Sequence, residues 1–108
     1  MSVLRLTLHK AAFDVMVTGE KTIEIRKPSK WIISRLVYRH SGTWKHYDLV
    51  EFVNGYGSDK PMFWAEFLRA EKMIGEPYRL MYSNGLEVLV ETGDIVITIG
   101  KISGRKNV

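Results

Sequence analysis

Lys21, Glu24 and Arg26 stand within one short run, GEKTIEIR (residues 19–26), which brings together an amine, a carboxylate and a guanidinium. On an extended strand Glu24 and Arg26 lie two apart, so their side chains leave the same face and can pair. Arg26 then offers a planar fork to a phosphate or a base edge, while Glu24 orients it or accepts from an exocyclic amine. Lys21 belongs by strict alternation to the face of Ile23 and Ile25, but just past a glycine turn its side chain can curl toward the other two. Desolvated beside Arg26, its amine would lose proton affinity and could act as a base or nucleophile; exposed, it would be only a phosphate contact. The Glu24–Arg26 pair would equally serve to brace the strand against a neighbouring element.

The charge distribution points the same way. The 108 residues carry a net charge of +4, yet between Arg26 and Tyr47 there are six basic residues (Arg26, Lys27, Lys30, Arg35, Arg39, Lys45) and no acidic one. All of the excess sits there, and a localised positive field attracts polyanions, nucleic acid first among them. Trp31, Tyr38, Trp44 and Tyr47 are interleaved with these cations, the arrangement by which unpaired strands are held: bases stack on rings and cations track the backbone. Trp31 and Tyr38 would serve equally well as core residues of a small fold, whereas Trp44, in the polar setting SGTWKHY, is expected at the surface. Tyr56 and Lys60 are candidates for the rim of the same site. Glu66 reads either as a second carboxylate near it or as a solvent-facing strand residue.

Other chemistries lack their residues. With no cysteine there is no disulfide framework, thiol nucleophile or cysteine zinc site,. His9, His40 and His46 show no metal-ligand spacing and read as surface residues, so no metal and no cofactor is expected. NGYG, SNG and TGD read as turns, since no G-K-[ST] follows a glycine loop. No apolar run approaches the roughly 18 residues of a membrane span, and MSVLRLTLHK is too short in apolar residues for a signal peptide, so the expectation is a cytoplasmic protein without a membrane partner.

The elements that must position the run follow from periodicity. VLRLTL alternates Leu4, Leu6 and Leu8 with polar residues and predicts a strand; HKAAFDVMVTG places Phe13, Met16 and Val17 at helical spacing before Gly19,. KTIEIRK predicts a second strand, its isoleucines toward the core and its polar trio outward. Ser29 can cap a short helix through KWIISRLV. YDLVEFVNG and PMFWAEFLRAEKM predict a hairpin, GEPYRLMYSNG a Pro-started helical turn followed by a loop, and LEVLV and DIVITIGKI two further strands,. The fold class expected is α+β: a small, partly open β-barrel of about five to six strands with two or three short helices, spanning residues 1–103, followed by a flexible tail over 104–108. The oligomeric state is left open, with a monomer favoured.

Gly19, Lys21, Glu24 and Arg26 fit G-x-K-x-x-E-x-R, and in this respect the chain resembles the ASCH family, small barrels related to the PUA domain, in its short stand-alone bacterial and phage type. The strand and helix before the signature, the hairpin VEFVNGYG/MFWAEF and the late pair Gly93-Asp94 before IVITIGKI extend the resemblance over most of the chain. It implies a PUA-like barrel with a cleft, lined by the signature, for RNA or a nucleotide. The amidohydrolase branch of the family acts on N4-acetylcytidine; its active lysine corresponds to Lys21 and its threonine to the position of Glu24. Other members are described as ribonucleases. Three functions are therefore expected as alternatives: binding of RNA or a nucleotide, with DNA as a further ligand, through Lys21, Glu24, Arg26 and the flanking basic and aromatic residues; hydrolysis of a modified nucleoside or of RNA with Lys21 and Glu24 catalytic; and a protein-directed phage inhibitor module.

Overall fold

The computed structural model describes residues 1–55 and 59–108. Strand β1 (Val3–Leu8) buries Leu4, Leu6 and Leu8 on one face, as its alternation requires. Helix α1 (Lys10–Met16) turns Phe13, Val15 and Met16 inward and ends in a turn through Gly19, whose φ of +88° suits glycine,. Strand β2 (Ile23–Arg26) follows. Helix α2 (Lys30–Leu36) starts at Ser29, whose hydroxyl accepts from the Ile32 amide at 3.2 Å, and buries Ile32 and Leu36,.

The hairpin of β3 (Leu49–Asn54) and β4 (Met62–Lys72) sets Phe52 opposite Phe63, their rings stacked with centroids 5.0 Å apart. Irregular register along β4 bends this long strand,. Strand β7 (Ile95–Lys106) pairs with β4 along its length and with β2 over Ile95 to Thr98. The sheet order is β1-β3-β4-β7-β2, a curled half-barrel around a core that includes Leu4, Leu6, Phe13, Met16, Phe52, Phe63 and Ile97. A small α+β fold with a partly open barrel sheet and two helices is what the sequence predicts at that level. Among the described residues, no helix is long and apolar enough to cross a membrane.

Three local expectations differ from the structure. GEPYRLMYSNG contains strand β5 (Tyr78–Met81) rather than a helical turn; it pairs with β6 (Glu87–Val90) as a two-stranded hairpin around Gly85. Pro77 is tolerated because it precedes the strand and withholds no ladder donor. Second, the 104–108 segment expected as a tail is largely strand: Gly104, Arg105 and Lys106 pair with Trp64, Phe63 and Met62. Third, Ile23 and Ile25 do not face the main core. They pack with Met73, Val90, Val96, Leu80 and Val88 in a second small core under the β5–β6 hairpin, so Glu24, on the opposite face, points into the barrel and is buried. β2 is covered on both sides, and the side that takes the carboxylate is the interior one.

Candidate functional site

The two edge strands of the half-barrel, β1 and β2, come together at its open seam, and the signature residues occupy that seam. Arg26 bridges the strands: its Nη2 donates to the Thr7 carbonyl at 2.7 Å while its Nε donates to Glu24 Oε2 at 2.9 Å. Glu24 Oε1 accepts in turn from Lys21 Nζ at 3.1 Å. The Lys21 ammonium also donates to the Ile23 carbonyl and lies 3.7 Å from Met16 Sδ. The turn through Gly19 permits this: the Lys21 amide is held by Val15 O at 2.9 Å, and the side chain folds back along β2 to only 1 % exposure. Amine, carboxylate and guanidinium thus form one relay with the carboxylate in the middle.

Burial pushes the Lys21 amine below its ordinary value; the Glu24 carboxylate opposes that shift and the Arg26 charge reinforces it,. A chain of charges this dry holds together only because each member is hydrogen-bonded, and removing one partner of such a pair costs about 3–5 kcal/mol. The relay therefore braces the seam, as the strand-bracing reading expected, and at the same time lines a cavity.

That cavity, of about 290 Å³, is walled by Thr7, Leu8, His9 and Ala12 on one side and by Lys21, Glu24, Ile25, Arg26, Leu86 and Val88 on the other. The β5–β6 hairpin supplies Leu86 and Val88. Its turn is clasped down by Glu20, which accepts from the Ser83 amide and hydroxyl, and by Asn84, which donates to Ala11 O at 2.9 Å. Thr7, Leu8, His9 and Arg26 also line a second space of about 610 Å³ that reaches Trp31 and Gly55. A third, bordered by Thr7, Trp31, Arg5 and Glu51, continues along β1. One groove therefore runs from the buried relay to the ring of Trp31, which is 49 % exposed and carries the Arg35 guanidinium 5.1 Å from its centroid.

The structure divides the remaining sequence-predicted residues. Lys30, Arg39 and Lys45 line a separate groove on the other side of α2, with Tyr38 and His40; Lys45 Nζ sits 5.4 Å from the Tyr38 ring centroid. Trp44 is 37 % exposed and pairs through its backbone with Val37. Lys27 is not at the cleft: its ammonium bonds Glu91 at 2.7 Å and Asp94 at 2.8 Å, pinning the turn that starts β7. Glu66 faces solvent, with its carboxylate over Gly100. Tyr56 lies outside the described residues. Thr7, whose carbonyl anchors Arg26, and His9, read as a surface residue, both wall the cleft; His9 follows β1 and Arg26 ends β2, so only the pairing of those edges across the seam would have shown it. Among the described residues no group of three histidine or acidic side chains is placed to hold a metal ion. No family model matches the chain, and no curated protein or solved structure does.

Proposed function

We propose that the chain binds RNA or a nucleotide in the seam groove, with the basic and aromatic surface around α2 as the flanking contact. The observation that carries this reading is the continuity of one groove from the Arg26 guanidinium to the exposed Trp31 ring, on the segment that holds the whole charge excess. Arg26 spends two donors on Glu24 and Thr7 and keeps the rest of its fork for an anion or a base edge,. Trp31 supplies a stacking face with Arg35 over its ring, and Lys30, Arg39 and Lys45 supply further cations on the other side of α2,. The arrangement fits the cleft that the ASCH resemblance implies, and the PUA-like assignment stands on the signature and this shape together.

The test is binding of a fluorescein-labelled single-stranded RNA across 50–300 mM salt. Removing Lys30, Arg35 and Arg39 together should weaken binding and lower the slope of log K against log salt by about 2, three phosphate contacts at about 0.7 each. An unchanged slope would refute the reading.

A second reading, hydrolysis of an acylated cytidine, is favoured by one feature: a buried amine of lowered proton affinity, bonded to a carboxylate and open to a cavity. In that reaction water adds across the amide C–N bond, the minor deprotonated form of Lys21, made more accessible by burial, takes the proton from water, and Glu24 relays it to the leaving nitrogen,. Mass spectrometry of N4-acetylcytidine incubated with the protein tests it. Turnover that survives Lys21→Met would remove Lys21 from this role.

A further inference from the structure

The main chain at the seam belongs to two sheet edges, β1 and β2, that among the described residues form no ladder with each other. The Ile99 amide donates to Thr22 O at 3.0 Å, which makes Thr22 and Ile99 a hydrogen-bonded pair of the antiparallel β2–β7 ladder. Such pairs alternate along a ladder. Glu24 and Arg26 therefore turn their amides and carbonyls toward β7, whereas Ile23 and Ile25 turn theirs away from it. The Ile23 carbonyl confirms the direction, since it is the one that accepts from Lys21.

The same reasoning holds on β1. The Ser2 carbonyl accepts from Asp48 and Leu49 at the β3 side, so alternate residues Leu4 and Leu6 face β3 while Arg5 and Thr7 face the seam. The Arg26 bond to Thr7 O agrees. Ile25 N–H, Ile25 C=O and Thr7 N–H thus turn toward the seam, where β1 and β2 are the two sheet edges and not ladder neighbours of each other, and Thr7 and Ile25 both line the 290 Å³ cavity there. Backbone groups so placed call for a partner, water or a ligand included.

We infer that the seam cavity takes a single unpaired nucleobase, whose Watson–Crick edge bonds the Ile25 amide and carbonyl across the gap between β1 and β2. One residue's N–H and C=O on a free strand edge present a donor beside an acceptor, the pattern that an adjacent acceptor and donor on a base edge complement. Leu8, Ala12, Leu86 and Val88 give the cavity its apolar walls, as a flat heterocycle requires, and its volume lies at the small end of ligand pockets,. Because the edge read is the one consumed by base pairing, a duplex cannot enter; the ligand is a free nucleotide or a base splayed from a single strand. This inference rests on the proposed binding of RNA or a nucleotide and narrows it.

Proline at position 25 isolates the contact. It removes the Ile25 amide, and because that amide points away from β7 it costs no ladder bond, which is the situation in which an edge strand tolerates proline. The experiment is a ¹⁵N-amide NMR titration of the intact chain with CMP, UMP, AMP and GMP, with ribose 5-phosphate as the baseless control. It is run on the unaltered protein, Ile25→Pro and Ile25→Ala. The Ile25 and Thr7 amides should shift with at least one nucleotide and not with ribose 5-phosphate. Ile25→Pro should lose affinity at least tenfold, while Ile25→Ala, which keeps the amide, stays within threefold. Nucleotide binding that shifts His9 and Trp31 but leaves the Ile25 amide still overturns this inference and spares the groove reading; no response to any nucleotide overturns both. Should Ile25→Pro fail to fold, the amide shifts of the unaltered protein decide alone.

Discussion

Replacing Glu24 by glutamine keeps the shape of the relay and removes its central charge, leaving the Lys21 ammonium buried with no anion. Removing one member of a dry ion pair costs about 3–5 kcal/mol, and the structure sets a ceiling on that figure. Lys21 can escape by releasing its proton, and forcing an amine whose ordinary value is 10.5 to stay neutral at pH 7 costs about 5 kcal/mol, at about 1.4 kcal/mol per pH unit,. Burial has already moved the folded value down, so the unfolded chain binds more protons than the folded one in the window between the lowered value and 10.5, and stability contributed here rises with pH. Without Glu24 that window widens. The loss caused by Glu24→Gln should therefore be about 3–5 kcal/mol at pH 7 and shrink to about 2 kcal/mol or less at pH 9. Urea unfolding of both proteins at the two pH values, compared at equal m, measures it. A loss below about 1 kcal/mol at pH 7, or one that does not diminish at pH 9, would refute the claim that Glu24 holds a charged Lys21.

Trp31→Ala should weaken single-stranded RNA binding by about 1–3 kcal/mol, one base stack, with little change in melting temperature since the ring is half exposed,; fluorescence anisotropy and thermal melting check the two halves. Asp94, 2 % exposed, anchors the turn before β7: burial pushes its carboxyl up, but the hydrogen bonds from Lys27 and the Glu91 amide outweigh that and hold it below the usual carboxylate range. Its contribution is therefore present above the ordinary value of 3.8 and lost as pH falls through the folded value,. Asp94→Asn should cost about 1–3 kcal/mol at neutral pH and flatten the acid limb of a melting-temperature profile from pH 2 to 6.

The residues that were legible in the sequence are those whose partners are local. Leu4, Leu6 and Leu8 declare β1 by alternation, Ser29 declares the start of α2, and the Glu24–Arg26 pair follows from a spacing of two on one strand. What escaped depends on elements distant in sequence. Glu24 reads as outward because Ile23 and Ile25 form the apolar face of β2, and the first strand of the hairpin that covers that face, β5, lies in a stretch that reads as a helical turn and loop even though Asn84-Gly85 after it reads as a turn and LEVLV as a strand. The basic segment reads as one surface until α2 winds it: Trp31, with Arg35 four residues on lying over its ring, borders the seam groove, while Lys30, Ser34 and Val37 line the other,. His9 needed the seam itself, which no local pattern announces.

Strand β2, early in the chain, has a single ladder neighbour among the described residues, and that neighbour is β7, with Ile23 paired to Thr98. The loop that must close before the signature residues meet their sheet is most of the molecule, so this contact is among the slowest to form. Glu24 then has no interior to enter until β7 has docked, and a folding intermediate would present two bare edges, β1 and β2, instead of a seam. Maturation of the cleft and protection of those edges from intermolecular pairing are thus the same kinetic event.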